Sequence, residues 1–93
     1  MRIAALDLGT NSFHLLVAEV HPDGHFEPLV REKAMLWLGD VVSRKGRIPD
    51  SAADAAVDTV RRFRLLAEAA EATEVLACAT SAVPLMSSAA AAI

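Results

Sequence analysis

Residues 6–20, LDLGTNSFHLLVAEV, set Asp7, Gly9, Thr10, Asn11 and Ser12 between two strongly apolar runs. A tight hairpin needs only about two turn residues, so this longer polar break calls for another purpose. The run before it, RIAALDL, is short and stops at Gly9, which predicts a strand buried on both faces. After it, SFHLLVAEV predicts a second strand with Phe13, Leu15 and Val17 on one side and His14, Leu16, Ala18 and Val20 on the other. Both faces of the pair are expected to be largely covered. An acid at the end of a buried strand, followed by Gly-Thr-Asn-Ser, suits a turn that faces a phosphate. Gly9 permits a close backbone approach or a positive φ, the hydroxyls of Thr10 and Ser12 and the amide of Asn11 donate hydrogen bonds, and the loop N–H groups form a nest. Asp7 would then hold a magnesium ion or orient an attacking water. The competing reading of the loop alone is a hairpin whose Asp and Asn satisfy their own backbone.

Outward from this loop, HPDGHF places Pro22, Asp23 and Gly24 in a turn, and residues 26–38, FEPLVREKAMLWL, offer a third strand whose intruding polar residues suit a sheet edge. Residues 39–47 read as a polar connector. Pro49-Asp50-Ser51 opens a helix running to about Ala72, with Ser51 or Asp50 accepting the first-turn N–H groups and Ile48 in a staple position. Ala53, Ala56, Val57, Val60, Phe63 and Ala67, widened by Leu66 and Ala70, form its apolar face. Asp58 with Arg62 and Arg64 with Glu68 are spaced to pair on the wet side. EVLACA, residues 74–79, follows as a buried strand, and Pro84 places the start of any further helix near Val83.

The 93 residues suffice for one small domain, and much of the 54% hydrophobic content is alanine, so the core is thin. A net charge of -3 gives no global field for nucleic acid, and no run is long enough to span a membrane. The single Cys78 excludes an intramolecular disulfide, and with no basic n-region and apolar leader in the given sequence a reducing cytoplasm is the expected location.

In this order, the segments resemble the first half of a ribonuclease-H-like ATPase domain, the fold shared by actin, sugar kinases and heat-shock ATPases (ASKHA). DLGTNSFHLLVAEV is similar to the first phosphate loop of the Ppx/GppA family, the exopolyphosphatases and guanosine pentaphosphate phosphohydrolases. The likeness continues through REKAMLWLG, VRRFRLLAE and VLACATSAV. It implies an α/β half-domain of order β-β-β-α-β(-α), with the first three strands antiparallel and the fourth parallel to the first through a right-handed crossover. Residues 1–83 would form the family portion and residues 84–93 a divergent, low-complexity tail. The resemblance makes Asp7 the catalytic and magnesium-holding acid, Gly9, Thr10, Asn11 and Ser12 the first phosphate loop, and Thr80 with Ser81 a polar strand end beside the same cleft. Polyphosphate is the first substrate it implies and guanosine pentaphosphate the second; a sugar-kinase or heat-shock ATPase piece matches residues 11–14 less well.

The sequence also departs from that pattern. Val83-Pro84-Leu85 stands where the family continues with Leu-Arg, and the family's second Gly-rich loop and catalytic glutamate have no counterpart before Ile93. The chain is therefore expected to be an N-terminal piece, truncated or frame-shifted, that is inactive alone. A non-catalytic module that binds phosphate or forms a homodimer through exposed surface is the alternative. The remaining chemistry-bearing residues have plainer readings: His14 as a packed or hydrogen-bonded strand residue, His21 and His25 as turn residues rather than metal ligands, Cys78 as a small hydrophobe, and Trp37 as filler against the sheet.

Overall fold

A computed structural model describes residues 1–79. The elements are β1 (Arg2–Leu8), β2 (Ser12–Val20), β3 (Phe26–Met35), α1 (Leu38–Lys45), α2 (Asp50–Ala69) and β4 (Glu74–Ala79). They form a four-stranded sheet in the order β3-β2-β1-β4. β1 pairs antiparallel with β2, as β2 does with β3, whereas β4 lies parallel to β1. The expected strand order and directions are those observed, with α1 as an added element. The tail, and any further helix expected from about Val83, lie outside the described residues.

β1 and β2 alternate instead of burying both faces. Ala4, Leu6 and Leu8 are buried while Ala5 and Asp7 are exposed, and on β2 Phe13, Leu15 and Val17 are buried with His14 and Leu16 half-buried between them, Ala18 being the one buried residue of β2 on the other side. The buried side packs against Ala56, Val60, Phe63 and Ala67 of α2, with Leu38 and Ile48 completing the core. No described element covers the opposite side. The expectation of two covered faces fails there, because apolar composition states a need for burial without supplying the covering element.

β4 shows the same effect. It was expected to be buried, yet every residue from Glu74 to Ala79 is exposed, Leu76 to 58%, and Cys78 is exposed rather than packed. β3 is the edge strand its composition predicts. Pro28 and a register shift opposite Val17/Ala18 interrupt its ladder, and Glu27, Arg31, Glu32 and Lys33 are exposed, features that discourage edge pairing.

The expected connector after β3 is largely the helix α1. Its end is fixed by Gly46 in the left-handed region, φ 72°, whose N–H donates to the Val42 carbonyl, with Arg44 and Lys45 favourably placed in the last turn. Trp37 precedes it in a left-handed conformation, φ 56°, and is 54% exposed rather than packed on the sheet. α2 begins after Pro49 with no side-chain cap, so neither Asp50 nor Ser51 takes the expected capping role; Ile48, one residue earlier, is buried in the core. On its wet side Asp58 pairs with Arg61 rather than Arg62, which lies over the Phe63 ring, while Arg64 and Glu68 pair as expected. At the other end of the sheet, the N-terminal ammonium and Arg2 hold the Glu19 carboxyl below its ordinary pKa.

Candidate functional site

The loop between β1 and β2 is the bend singled out in the sequence, and internal hydrogen bonds give it a fixed shape. The Gly9 N–H donates to the Ser12 carbonyl at 2.9 Å. A Cβ on Gly9 would lie 2.7 Å from that carbonyl oxygen, so glycine is needed for close approach, without a positive φ.

The start of α1 is docked onto the loop. The Asn11 carbonyl accepts from the Leu36 and Trp37 N–H groups at 2.8 and 2.9 Å, and the Thr10 carbonyl accepts from Gly39 at 2.8 Å. Asn11 Oδ1 accepts from the Asp40 N–H at 3.3 Å. Asn11 thus caps α1 from a distant part of the chain, and its oxygen serves the scaffold; its amide nitrogen is the donor that could face a ligand.

Gly39 is the residue that sequence reading missed. A Cβ there would fall 2.2 Å from Thr10 Cγ2 and 3.1 Å from Asn11 Oδ1. Helix propensity alone favours Gly39→Ala by up to about 1 kcal/mol, whereas forcing a methyl into this contact costs about 1–3 kcal/mol. The clash should prevail. Gly39→Ala is expected to lower the midpoint of thermal unfolding and to move the amide resonances of Thr10 and Asn11; a stabilised variant with unmoved resonances would show that the contact does not constrain the loop.

Asp7 and Ser12 share the side of the sheet opposite α2, which no described element covers. Asp7 is register partner to His14 on β2 and to Cys78 on β4, and Ser12 lies two residues before His14 on the same strand face. Ser12 Oγ and His14 Nε2 are 3.0 Å apart. Below them an open hollow of about 350 Å³ is lined by Ala5, Asp7, His14, Leu16, Leu76 and Cys78. β4 ends beside the loop, its Ala79 paired with Leu8. The sequence-predicted Thr80 and Ser81 follow that pair and lie outside the described residues.

Asp7, Gly9, Thr10, Asn11 and Ser12 are therefore gathered at one end of the sheet, with three different employments. Gly9 and Asn11 shape and anchor the loop, Thr10 packs toward Gly39, and Asp7 and Ser12 face the open side. The histidines of the β2–β3 turn stand apart: His21 and His25 stack with ring centroids 4.3 Å apart, and His25 pairs with Asp23. Among the described residues no group of three or more His, Cys, Asp or Glu side chains is placed to hold a metal ion. Nor is any described helix long and apolar enough to cross a membrane.

The model of the Ppx/GppA phosphatase family matches residues 16–87. Exopolyphosphatase 1 of Mycobacterium tuberculosis is 39% identical over 83 residues, covering 89% of this chain and 24% of the relative; the Mycobacterium leprae protein of the same name is 39% identical over the same extent. The chain thus spans about a quarter of the length of these relatives. The crystal structure of an exopolyphosphatase from Cytophaga hutchinsonii superimposes with a TM-score of 0.82 at 38% identity, covering 100% of this chain and 30% of that one. A Ppx/GppA member from Aquifex aeolicus gives 0.83 at 24% identity, over 99% of this chain and 30% of its own, a likeness of fold.

Proposed function

The chain belongs to the Ppx/GppA phosphatase family, and from that premise we propose that its 93 residues supply a phosphate- and metal-gripping part of a site that hydrolyses the terminal phosphoanhydride of polyphosphate. The observation that carries this reading is the anchored loop at the end of β1, which sets Asp7 and Ser12 on one sheet face. Polyphosphate is preferred because the relatives with the stated identities are named exopolyphosphatases.

Magnesium fits the donor set. It is bound by one or two carboxylates together with phosphate oxygens and water, so the solitary exposed Asp7 suffices once substrate contributes the other oxygens. The ion would neutralise phosphoryl charge. Asp7 would hold it, the Ser12 hydroxyl and the Asn11 amide would donate to phosphate oxygens, and Gly9 would let the backbone approach them.

Binding and turnover are separate in this reading. In-line hydrolysis needs the phosphoryl group and the water positioned from more than one direction, and the described residues supply one loop and one carboxylate. The purified 93-residue chain is expected to bind tripolyphosphate only with magnesium and to release no phosphate. Isothermal titration with and without the metal, followed by phosphate assay, checks both halves. Absence of magnesium-dependent binding would sink the site, and sustained release would sink the proposed division. Self-association through the uncovered sheet face belongs to the same reading, and sedimentation at matched concentrations would detect it.

A further inference from the structure

We infer that His14 is a positioning residue for Ser12, holding the serine hydroxyl on the Asp7 side of the sheet; the inference rests on the phosphate-loop reading above. The loop's polar side chains are not equivalent. Asn11 is engaged with the Asp40 N–H, and Thr10 is packed where Gly39 lacks a side chain. Ser12 is joined instead to His14, with Oγ 3.0 Å from Nε2.

A serine hydroxyl has three staggered rotamers and a freely turning proton, so it is poorly directed by itself. His14 restricts both. It is half-buried on β2, a strand flanked by β1 and β3, and its register partners are Asp7 on one side and Lys33 on the other. The ring therefore stands on an interior strand of the sheet, and a hydroxyl tied to it is oriented before ligand arrives.

The direction of the bond follows from the ligand. A fully ionised phosphate oxygen only accepts hydrogen bonds, so Ser12 must turn its proton outward toward it. Oγ is then the acceptor from His14, and Nε2 carries the hydrogen. His14 acts through Ser12 and need not touch the phosphate.

The test is a double-variant cycle on the full 93-residue chain with magnesium tripolyphosphate as the probe. Ser12→Ala and His14→Phe are each expected to weaken binding about tenfold, the scale of a hydrogen bond to a charged group. Because they remove the same interaction, the double variant should also lose about tenfold rather than the product of the two losses. His14→Gln, whose terminal N–H₂ reaches near the Nε2 position, should restore binding to within about threefold of the wild type. Nitrogen NMR of the imidazole in the complex should show Nε2 protonated, and Ser12→Ala should move that resonance in the ligand-free chain.

Unchanged binding in His14→Phe, multiplicative losses, or failure of the Gln variant to restore binding would overturn the positioning role. So would a ligand-free Nε2 resonance that ignores Ser12→Ala. A wild-type chain that binds no tripolyphosphate while its Nε2 resonance responds to Ser12→Ala would overturn the phosphate-loop reading and leave the Ser12–His14 tie established. Unfolding midpoints of all variants separate misfolding from lost positioning.

Discussion

Phe63→Ala is expected to abolish cooperative unfolding of this chain near room temperature. Phe63 is fully buried, and with Ala56, Val60 and Ala67 it forms the face of α2 that covers the sheet. Truncating a buried Phe costs about 3–5 kcal/mol, against a total of about 5–15 kcal/mol for ordinary domains. This fold should sit low in that range. It is small, one side of its sheet is uncovered by the described elements, and alanine supplies much of its helix face. Leu65 is the control: it lies on the same helix but is 64% exposed, so Leu65→Ala should change stability by no more than about 0.5 kcal/mol. Urea unfolding followed by far-ultraviolet circular dichroism measures both. Equal losses in the two variants would mean that the α2–sheet contact does not hold the fold together.

The contrast between Phe63 and Leu65 was legible in the sequence because helical spacing sorts side chains by direction. Strand alternation placed Phe13, Leu15 and Val17 together for the same reason, and the turn at Pro22–Gly24 announced itself through residue types suited to its backbone. What periodicity cannot state is whether a partner for each face is present. Leu76 and Cys78 were expected inside and are exposed, because EVLACA specifies a strand that favours burial and says nothing about what covers it. The helix α1 was missed because Val41 and Val42 give too short an apolar pattern over eight residues, although Gly46 after Arg44-Lys45 was a usable stop signal. The absent side-chain cap on α2 has a similar lesson: Asp50 and Ser51 are suitable cap residues by type, but the chain places Pro49 at that position.

At the candidate site, the polar loop was legible and its supports were not. Gly9 and Asn11 stood out by composition, yet Asn11's bond to Asp40 and the Thr10 approach to Gly39 depend on contacts between segments remote in sequence. A local motif can nominate groups with suitable chemistry. Their orientation is a tertiary property: the Asn11 amide is expected from the sequence to donate to a phosphate, and only the fold shows that its oxygen is given to the helix.

Asp7→Asn isolates charge from shape and should have the largest effect on ligand binding. Asp7 is exposed, and no side-chain hydrogen bond or ion pair ties its carboxylate to another described residue, so folding gains little from that carboxylate. The nearly isosteric amide should therefore shift stability by no more than about 0.5 kcal/mol. Magnesium recruitment requires the negative charge. Loss of groups that merely support a metal ligand costs about 10–100-fold in metal affinity, so removing the ligand's own charge should cost at least about a hundredfold. Titrating magnesium into the chain with tripolyphosphate present should show that loss, while binding measured without metal should be as weak in the variant as in the wild type. The sign of any metal-free change is informative: if Asp7 only repels the polyanion, Asp7→Asn will tighten binding in the absence of magnesium and leave the magnesium dependence intact. That pattern would remove Asp7 from the metal site while leaving the anchored loop as an anion-binding element.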